Sequence, residues 1–124
     1  MIYLGYTFRP TAHALADLPG FWAWVEDREK WFYNGLDMVL RTDWYVRTIG
    51  TDVHCVEHLV AFADEAAWGA YRKAVAARGG DPQCEARRTE QGLWYDILDS
   101  RTLSDPPVRL GLRSDALSTS PLMG

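Results

Sequence analysis

The chain has 124 residues, 48% hydrophobic and 24% charged, which is the composition of a globular protein with one core and not of a disordered chain. Its 13 basic and 17 acidic residues give a formal net charge of −4, so it has no basic excess of the kind that nucleic-acid-binding proteins carry. No apolar run approaches the ~20 residues of a membrane span, and the first twenty residues lack a secretory pattern, so we expect a cytoplasmic protein without a membrane partner. In that compartment Cys55 and Cys84 are expected to be reduced.

The first half of the chain predicts a strand, a helix and a hairpin. "MIYLGYTF" alternates with a period of two and predicts a strand over residues 2–8. "DLPGFWAWVEDREKWFYNG" predicts a helix that begins after Asp17 and stops at Asn34-Gly35, with Arg28 inside its apolar stripe. "DWYVRTIG" and "VHCVEHLVAFA" then predict two strands joined by a short link.

The second half predicts one further helix and one further strand. "DEAAWGAYRKAVAARGG" predicts a helix capped by Asp64 and stopped by Gly79-Gly80. "DPQCEARR" indicates a turn or a short helical segment, and "GLWYDILDSRTL" alternates as the fourth strand. Residues 106–124 are rich in Ser, Gly and Pro, so we expect one domain at residues 1–105 followed by an irregular tail.

The predicted order β-α-β-β-α-β is that of the ferredoxin-like α+β fold, a four-stranded antiparallel sheet with two helices on one face. The fourth strand would carry Leu93, Tyr95 and Ile97 on one side and Trp94 and Leu98 on the other. Covering both faces of such a sheet requires a second layer, which one chain of this size does not supply. We therefore expect a homodimer that packs sheet against sheet.

The stretch "EHLVAFADEAAWGAYRKAV", followed by "GLWYDILDSRTL", resembles the dimeric α+β-barrel superfamily, in particular its antibiotic-biosynthesis monooxygenase-like, EthD-like and NIPSNAP-like members. The resemblance covers roughly residues 1–103 and includes the helix entry F-x-D-x-x-A-W/Y, present as Phe62, Asp64, Ala67 and Trp68. It implies a dimeric barrel. Such families include cofactor-independent oxygenases of polyketide phenols, isomerases, cyclases and haem-binding proteins, so the fold alone does not give the function.

The segment "HCVEH" looks like a metal site but does not predict one. On a strand, His54 and His58 would be about 13 Å apart at ~3.3 Å per residue, which is too far to share an ion. Alternation also sends His58 and Glu57 to opposite faces of the sheet. Each is a candidate acid–base residue. The alternatives are an ion pair of Glu57 with an arginine such as Arg47, and a core His58 hydrogen-bonded to the backbone or to a tyrosine.

The many aromatic residues predict a cavity for a flat, largely apolar ligand between helices and sheet. The alternative for any single ring is ordinary packing in the core or at a dimer contact. Tyrosine, tryptophan and arginine side chains would orient the ligand, and the residues predicted to bind substrate are Tyr6, Trp31, Trp44, Arg47 and Trp94.

These features lead to the hypothesis of a small homodimeric enzyme of secondary metabolism that needs no cofactor. It would oxygenate, cyclise or isomerise an aromatic or polyketide-like intermediate, with His58 or Glu57 removing a proton and Arg47 or a tyrosine stabilising the enolate. One alternative is a non-catalytic ligand-binding or stress-response barrel with the same pocket. Another is a haem-binding protein with His54 or His58 as the axial ligand.

Overall fold

The computed structural model describes residues 1–106 of the chain, and their sheet has the predicted topology. Four strands form one antiparallel sheet in the order β2-β3-β1-β4. Their bounds are Ile2–Pro10 (β1), Arg41–Val46 (β2), Val56–Phe62 (β3) and Tyr95–Ser104 (β4). This arrangement confirms the ferredoxin-like α+β fold, with β1 and β3 as the central strands.

Within residues 1–106, four α-helices accompany the sheet, and a side chain caps the N-terminus of each. They are α1 (Ala12–Ala16), α2 (Leu18–Phe32), α3 (Glu65–Ala77) and α4 (Pro82–Trp94), with a 3₁₀ turn at Arg78–Gly80. The caps are Thr11, Asp17, Asp64 and Asp81, whose oxygens accept hydrogen bonds from backbone N–H groups of the first turns. None of the helices within residues 1–106 is long and apolar enough to cross a membrane.

Helix α4 differs from the prediction, which placed a turn or short helical segment here and began the fourth strand with "GLW". The helix has 13 residues, and β4 begins after it at Tyr95. Tertiary contacts hold its last turn, because the Thr11 hydroxyl donates to the Leu93 carbonyl and the Thr11 N–H donates to the Trp94 carbonyl. The expected positions of Leu93 and Trp94 on opposite faces of a strand were therefore wrong.

The link between β2 and β3 is longer than predicted. It runs over residues 47–55, and Gly50, Asp52 and His54 take positive φ angles of 111°, 53° and 77°. Asparagine, aspartate, histidine and glycine tolerate this left-handed conformation better than other residues. His54 is therefore an exposed turn residue and not a strand residue.

The core lies between the helices and one face of the sheet. Phe8 and Val56 pack against Phe21 and Val25 of α2, together with Tyr95. A second cluster joins β3 to α3 and to the segment after α2, with Leu36, Val60, Phe62 and Tyr71 as its buried members. The opposite, outer face of the sheet carries Tyr45 and Leu103, which are 54% and 43% exposed.

We expect that Phe62→Ala lowers the free energy of unfolding by about 3–5 kcal/mol, because it removes a fully buried ring and leaves a cavity against Tyr71. Val46→Ala, at a position that is 44% exposed, is the control and should change stability by no more than about 0.5 kcal/mol. Urea unfolding at one fixed protein concentration measures both values. Equal losses in the two variants would contradict this description of the core.

Candidate functional site

A cleft opens between the sheet and the helices α2, α3 and α4, and it has two adjoining chambers. The first has a volume of about 210 Å³ and reaches from the sheet to α4, whereas the second has about 350 Å³ and reaches to α3. Together they fall within the range of about 300–1,000 Å³ usual for small-molecule sites. Both chambers are lined by Tyr6, Arg28, Phe32 and Val75, which form the wall that they share.

Aromatic rings dominate the lining, and most of the charged groups on it are cations. The rings of the first chamber are Tyr6, Phe8, Trp31, Phe32 and Tyr95, and those that the second adds are Trp68 and Tyr71. The charged residues of the two linings are Arg28, Arg72, Arg78, Arg88 and Glu85. Four arginines against one glutamate give the cleft a positive character, in a chain whose formal charge is −4.

Arg28 is the most unusual residue of the cleft. It lies on the sheet-facing side of α2 with 7% of its surface exposed, and its guanidinium carbon lies 4.2 Å from the centroid of the Phe32 ring. Among the described residues, its Nε and Nη1 atoms are buried without a hydrogen-bond partner. A buried cation normally has a carboxylate partner, so two buried donors without a partner are unusual.

The tyrosines around Arg28 are protonated at neutral pH. Burial raises the pKa of Tyr95 and of Tyr71 to about 12, although the charge of Arg28 acts in the opposite direction. Burial likewise raises the pKa of Tyr6, against the same opposing charge. Each phenol can therefore donate a hydrogen bond. The Tyr95 hydroxyl is buried without a partner in the part of the chain that the structure describes.

His58 lies beneath the cleft as a neutral, fully buried side chain. Its Nδ1–H donates to the Asp43 carbonyl at 3.0 Å, so its Nε2 accepts from the Tyr33 hydroxyl at 2.7 Å. Burial lowers the pKa of His58 to about 3, the charge of Arg28 adds to this effect, and the bond to Asp43 opposes it. The ring also stacks on Trp44, with 3.9 Å between centroids. Although Glu29 Oε1 lies 3.9 Å from Nε2, the neutral ring forms no ion pair with it.

Glu57 lies on the outer face of the sheet, with Arg47 and Arg101. Its Oε1 is 2.7 Å from Arg101 Nη2 and 3.4 Å from Arg47 Nη2. Burial raises the pKa of Glu57, but hydrogen bonds and charges from the two arginines outweigh it and hold the pKa below its usual value. Glu57 therefore does not have the raised pKa that a buried general base would need. The predicted alternative, an ion pair with Arg47, is present.

Gly5 allows this contact across the central strand. It pairs with Leu59 on one side and with Arg101 on the other, so Arg101 must pass over it to reach Glu57. A Cβ atom at Gly5 would lie 3.1 Å from Leu59 Cδ2 and 3.3 Å from Arg101 Cζ. The absence of a side chain on the outer face of β1 therefore lets an arginine of β4 pair with a glutamate of β3.

The structure separates the residues that were predicted to act together. Tyr6 and Trp31 line the cleft as predicted, and Glu57 and His58 lie on opposite faces as alternation required. Neither His58 nor Glu57 is among the lining residues, so their catalytic roles stay predictions. Three of the residues predicted to bind substrate lie outside the lining. Trp44 stacks on His58, Arg47 pairs with Glu57 on the outer face, and Trp94 stacks on Trp24.

Arg28 and Tyr95 are cleft residues that sequence reasoning did not select. The signal for Arg28 was present, because it lies three residues after Val25 and four before Phe32, inside the apolar stripe of α2. A cation at such a position is either paired or functional. Tyr95 carried no such signal, because its place depends on where α4 ends.

None of the three histidines belongs to the lining of the cleft. Both ring nitrogens of His58 are already hydrogen-bonded, His54 lies exposed in the β2–β3 turn, and the ring of His13 lies 4.7 Å from that of Trp94. Within residues 1–106, no three His, Cys, Asp or Glu side chains are grouped so that they could hold a metal ion.

Solved structures with a similar fold cover almost the whole length of this one. HapK from Hahella chejuensis has 17% sequence identity and a TM-score of 0.56, covering 87% of this chain and 95% of its own. An uncharacterized NIPSNAP domain protein from Burkholderia xenovorans has 20% identity and a TM-score of 0.57, with 88% and 96% covered. Protein Atu4242 from Agrobacterium tumefaciens has 19% identity and a TM-score of 0.58, with 91% and 100% covered. These likenesses support the fold assignment.

Comparison by sequence gives no family assignment. No protein-family model matches the chain, and no curated protein matches it. The function must therefore be argued from the residues of the cleft.

We expect stability to fall in acid because His58 must be neutral in the fold. Its pKa is about 3 when folded and near 6.5 when unfolded, so between these values the unfolded chain binds one more proton. The contribution of neutral His58 to the free energy of unfolding is complete above pH 6.5, and it decreases by about 1.4 kcal/mol per pH unit as the pH falls toward 3. The free energy of unfolding at pH 6 and pH 4.5 measures this change.

His58→Gln and His58→Asn are the controls for this effect, since neither side chain titrates. The acid loss of the wild type should exceed that of both variants, even if the variants are less stable at every pH. Parallel pH profiles would show that His58 is not the group responsible.

Proposed function

We propose that the cleft binds an aromatic or polyketide-like intermediate and promotes its cyclisation, isomerisation or oxygenation by acid–base chemistry without a cofactor. The observation that carries the proposal is the buried guanidinium of Arg28 within a cleft of aromatic rings, because its Nε and Nη1 atoms have no hydrogen-bond partner among the described residues. A fixed positive donor with little access to water stabilises a phenolate or enolate oxygen more strongly than water does. The surrounding rings would hold the flat part of the ligand.

Two steps of this chemistry, the removal of a proton and the stabilisation of the resulting anion, have candidates among the described residues. Arg28 and the Tyr95 hydroxyl would donate hydrogen bonds to the oxygen on which negative charge develops. Glu85 is the one carboxylate among the described lining residues, and we assign to it the removal of the proton. Its partner Arg88 lies 3.6 Å away at the same exposed mouth of the cleft.

His58 would act in this scheme as a positioning residue. It accepts the hydrogen bond of Tyr33, whose ring centroid lies 5.9 Å from the Arg28 guanidinium carbon. The chain from the Asp43 carbonyl through His58 to Tyr33 therefore fixes a ring against which Arg28 packs. This role differs from that of the general base predicted from the sequence, because the His58 nitrogens do not reach the cleft.

The outer face of the sheet supports the expected homodimer as a second proposal. Its apolar side chains include Tyr3 and Leu103, which pair across β1 and β4, and Leu59 of β3, which pairs with Gly5 of β1. Exposed apolar side chains on the uncovered face of a sheet are typical of an interface. The dimer would leave the cleft accessible, because the cleft lies on the helix-covered face.

We expect Arg28→Gln to weaken the binding of naphthalene-2-carboxylate by about tenfold or more, because charge-assisted hydrogen bonds contribute about 1.5–3 kcal/mol each. Calorimetric titration measures the affinity. Arg9→Gln is the matched control, because Arg9 is exposed and lies outside both chambers. Equal affinities in the two variants would contradict the assignment of the site.

We also expect the protein to accelerate the exchange of the acidic C–H protons of 2-tetralone for deuterium, as followed by NMR in D₂O. Glu85→Gln and Arg28→Gln should each lose at least tenfold of this acceleration, since one removes the base and the other the stabilising cation. Glu90→Gln, at an exposed position of the same helix, is the control. Binding of aromatic carboxylates without any exchange would favour the non-catalytic ligand-binding alternative.

For the dimer, we expect a sedimentation mass twice the 14.1 kDa of the chain. Leu103→Glu should yield a folded monomer, because a carboxylate on the outer face cannot be buried against a second sheet without a partner. Leu15→Glu, on the exposed helix α1, should remain dimeric. A monomeric wild type at micromolar concentration would contradict the proposal.

A further inference from the structure

The buried polar atoms without partners in the described part of the chain have two properties in common. They are Arg28 Nε and Nη1, Trp31 Nε1, Trp68 Nε1 and Tyr95 Oη. All belong to residues that line the cleft, and all can donate a hydrogen bond. Buried donors without partners are uncommon in proteins, so their concentration in one cleft indicates a ligand rich in acceptor oxygens.

These donors are divided between the two chambers. Trp31 and Tyr95 line the first chamber, Trp68 lines the second, and Arg28 lies in the wall that both share. A ligand with one acidic group would meet the donors of Arg28 and of one chamber. The donor of Trp68 would then remain unpaired.

The second chamber also carries its own cation. The Arg72 guanidinium carbon lies 5.0 Å from the centroid of the Trp68 ring, so the charge and the indole N–H belong to the same end of the cleft. No carboxylate of the described residues lies within ion-pair distance of Arg72. The lining of this chamber contains no acidic residue among those described.

We infer that the natural ligand is an elongated aromatic diacid, with one acidic group at Arg28 and the other at Trp68 and Arg72. Its aromatic part would cross the shared wall, where Tyr6 and Phe32 present rings to both chambers. The inference rests on the proposed function, because it assumes that the cleft is the binding site. It adds the class of the ligand and assigns the second chamber to its second acidic group.

The test compares naphthalene-2-carboxylate with naphthalene-2,6-dicarboxylate, which differ by one carboxylate on the same ring system. Biphenyl-4-carboxylate and biphenyl-4,4′-dicarboxylate repeat the comparison with a longer separation. We expect the wild-type protein to bind at least one diacid about tenfold more tightly than its monoacid in calorimetric titrations, since the second group gains a charge-assisted contact.

Variants assign this gain to the second chamber. Trp68→Phe removes the indole N–H and keeps an aromatic ring, and Arg72→Gln removes the charge. Each should reduce the ratio of the diacid affinity to the monoacid affinity toward one. Lys73→Gln, at an exposed neighbouring position outside both linings, should keep the full preference.

The possible failures are distinguishable. If both diacids bind wild type no more tightly than their monoacids, or if Trp68→Phe and Arg72→Gln both keep the preference, the second acidic subsite is refuted and the proposed function stands. If no monoacid or diacid binds at all, the proposed function is refuted together with the inference.

Discussion

The backbone of a β-strand places successive side chains on opposite faces of the sheet. This constraint matters most for β1 and β3, which are the central strands and have a neighbouring strand on each side. On the helix-covered face, this alternation buries Phe8, Val56 and the neutral His58. On the outer face it leaves Glu57, which the two arginines keep ionised. The ionised Glu57 and the neutral His58 therefore lie on opposite faces of the sheet, although they are adjacent in β3. The cleft forms on the helix-covered face, to which Glu57 does not belong.

Arg28 has consequences for both stability and function. Burying a guanidinium without a carboxylate partner is unfavourable, and the contact with Phe32 offsets part of that cost. An apolar residue at this position of α2 would favour stability. Structures that violate such a local rule usually do so at functional sites, where a ligand supplies the missing partner. The same reasoning applies to Tyr95 and to the indoles of Trp31 and Trp68, whose buried donors have no partner among the described residues and belong to residues that line the cleft.

Much of the fold could be predicted because its determinants are local. Asp17 and Asp64 cap helices where the sequence placed caps, and alternation identified β1 and β3. Alternation also showed that Glu57 and His58 lie on opposite faces of the sheet, whereas the assignment of His54 to the strand was wrong, because His54 lies in the turn before β3. The end of α4 was not predictable in this way, because Thr11, more than eighty residues away, holds the carbonyls of its last turn.

The sequence by itself determined the order of the four strands and of helices α2 and α3, the faces of the central strands and the presence of a cation in the apolar stripe of α2. Only the tertiary structure decided that two donors of this cation have no partner among the described residues, and that the residues with such donors line the cleft and not the outer face. The reason is physical. Caps and alternation act between residues close in the chain, whereas the environment of Arg28 depends on how α2, α3, α4 and β4 pack together across long separations.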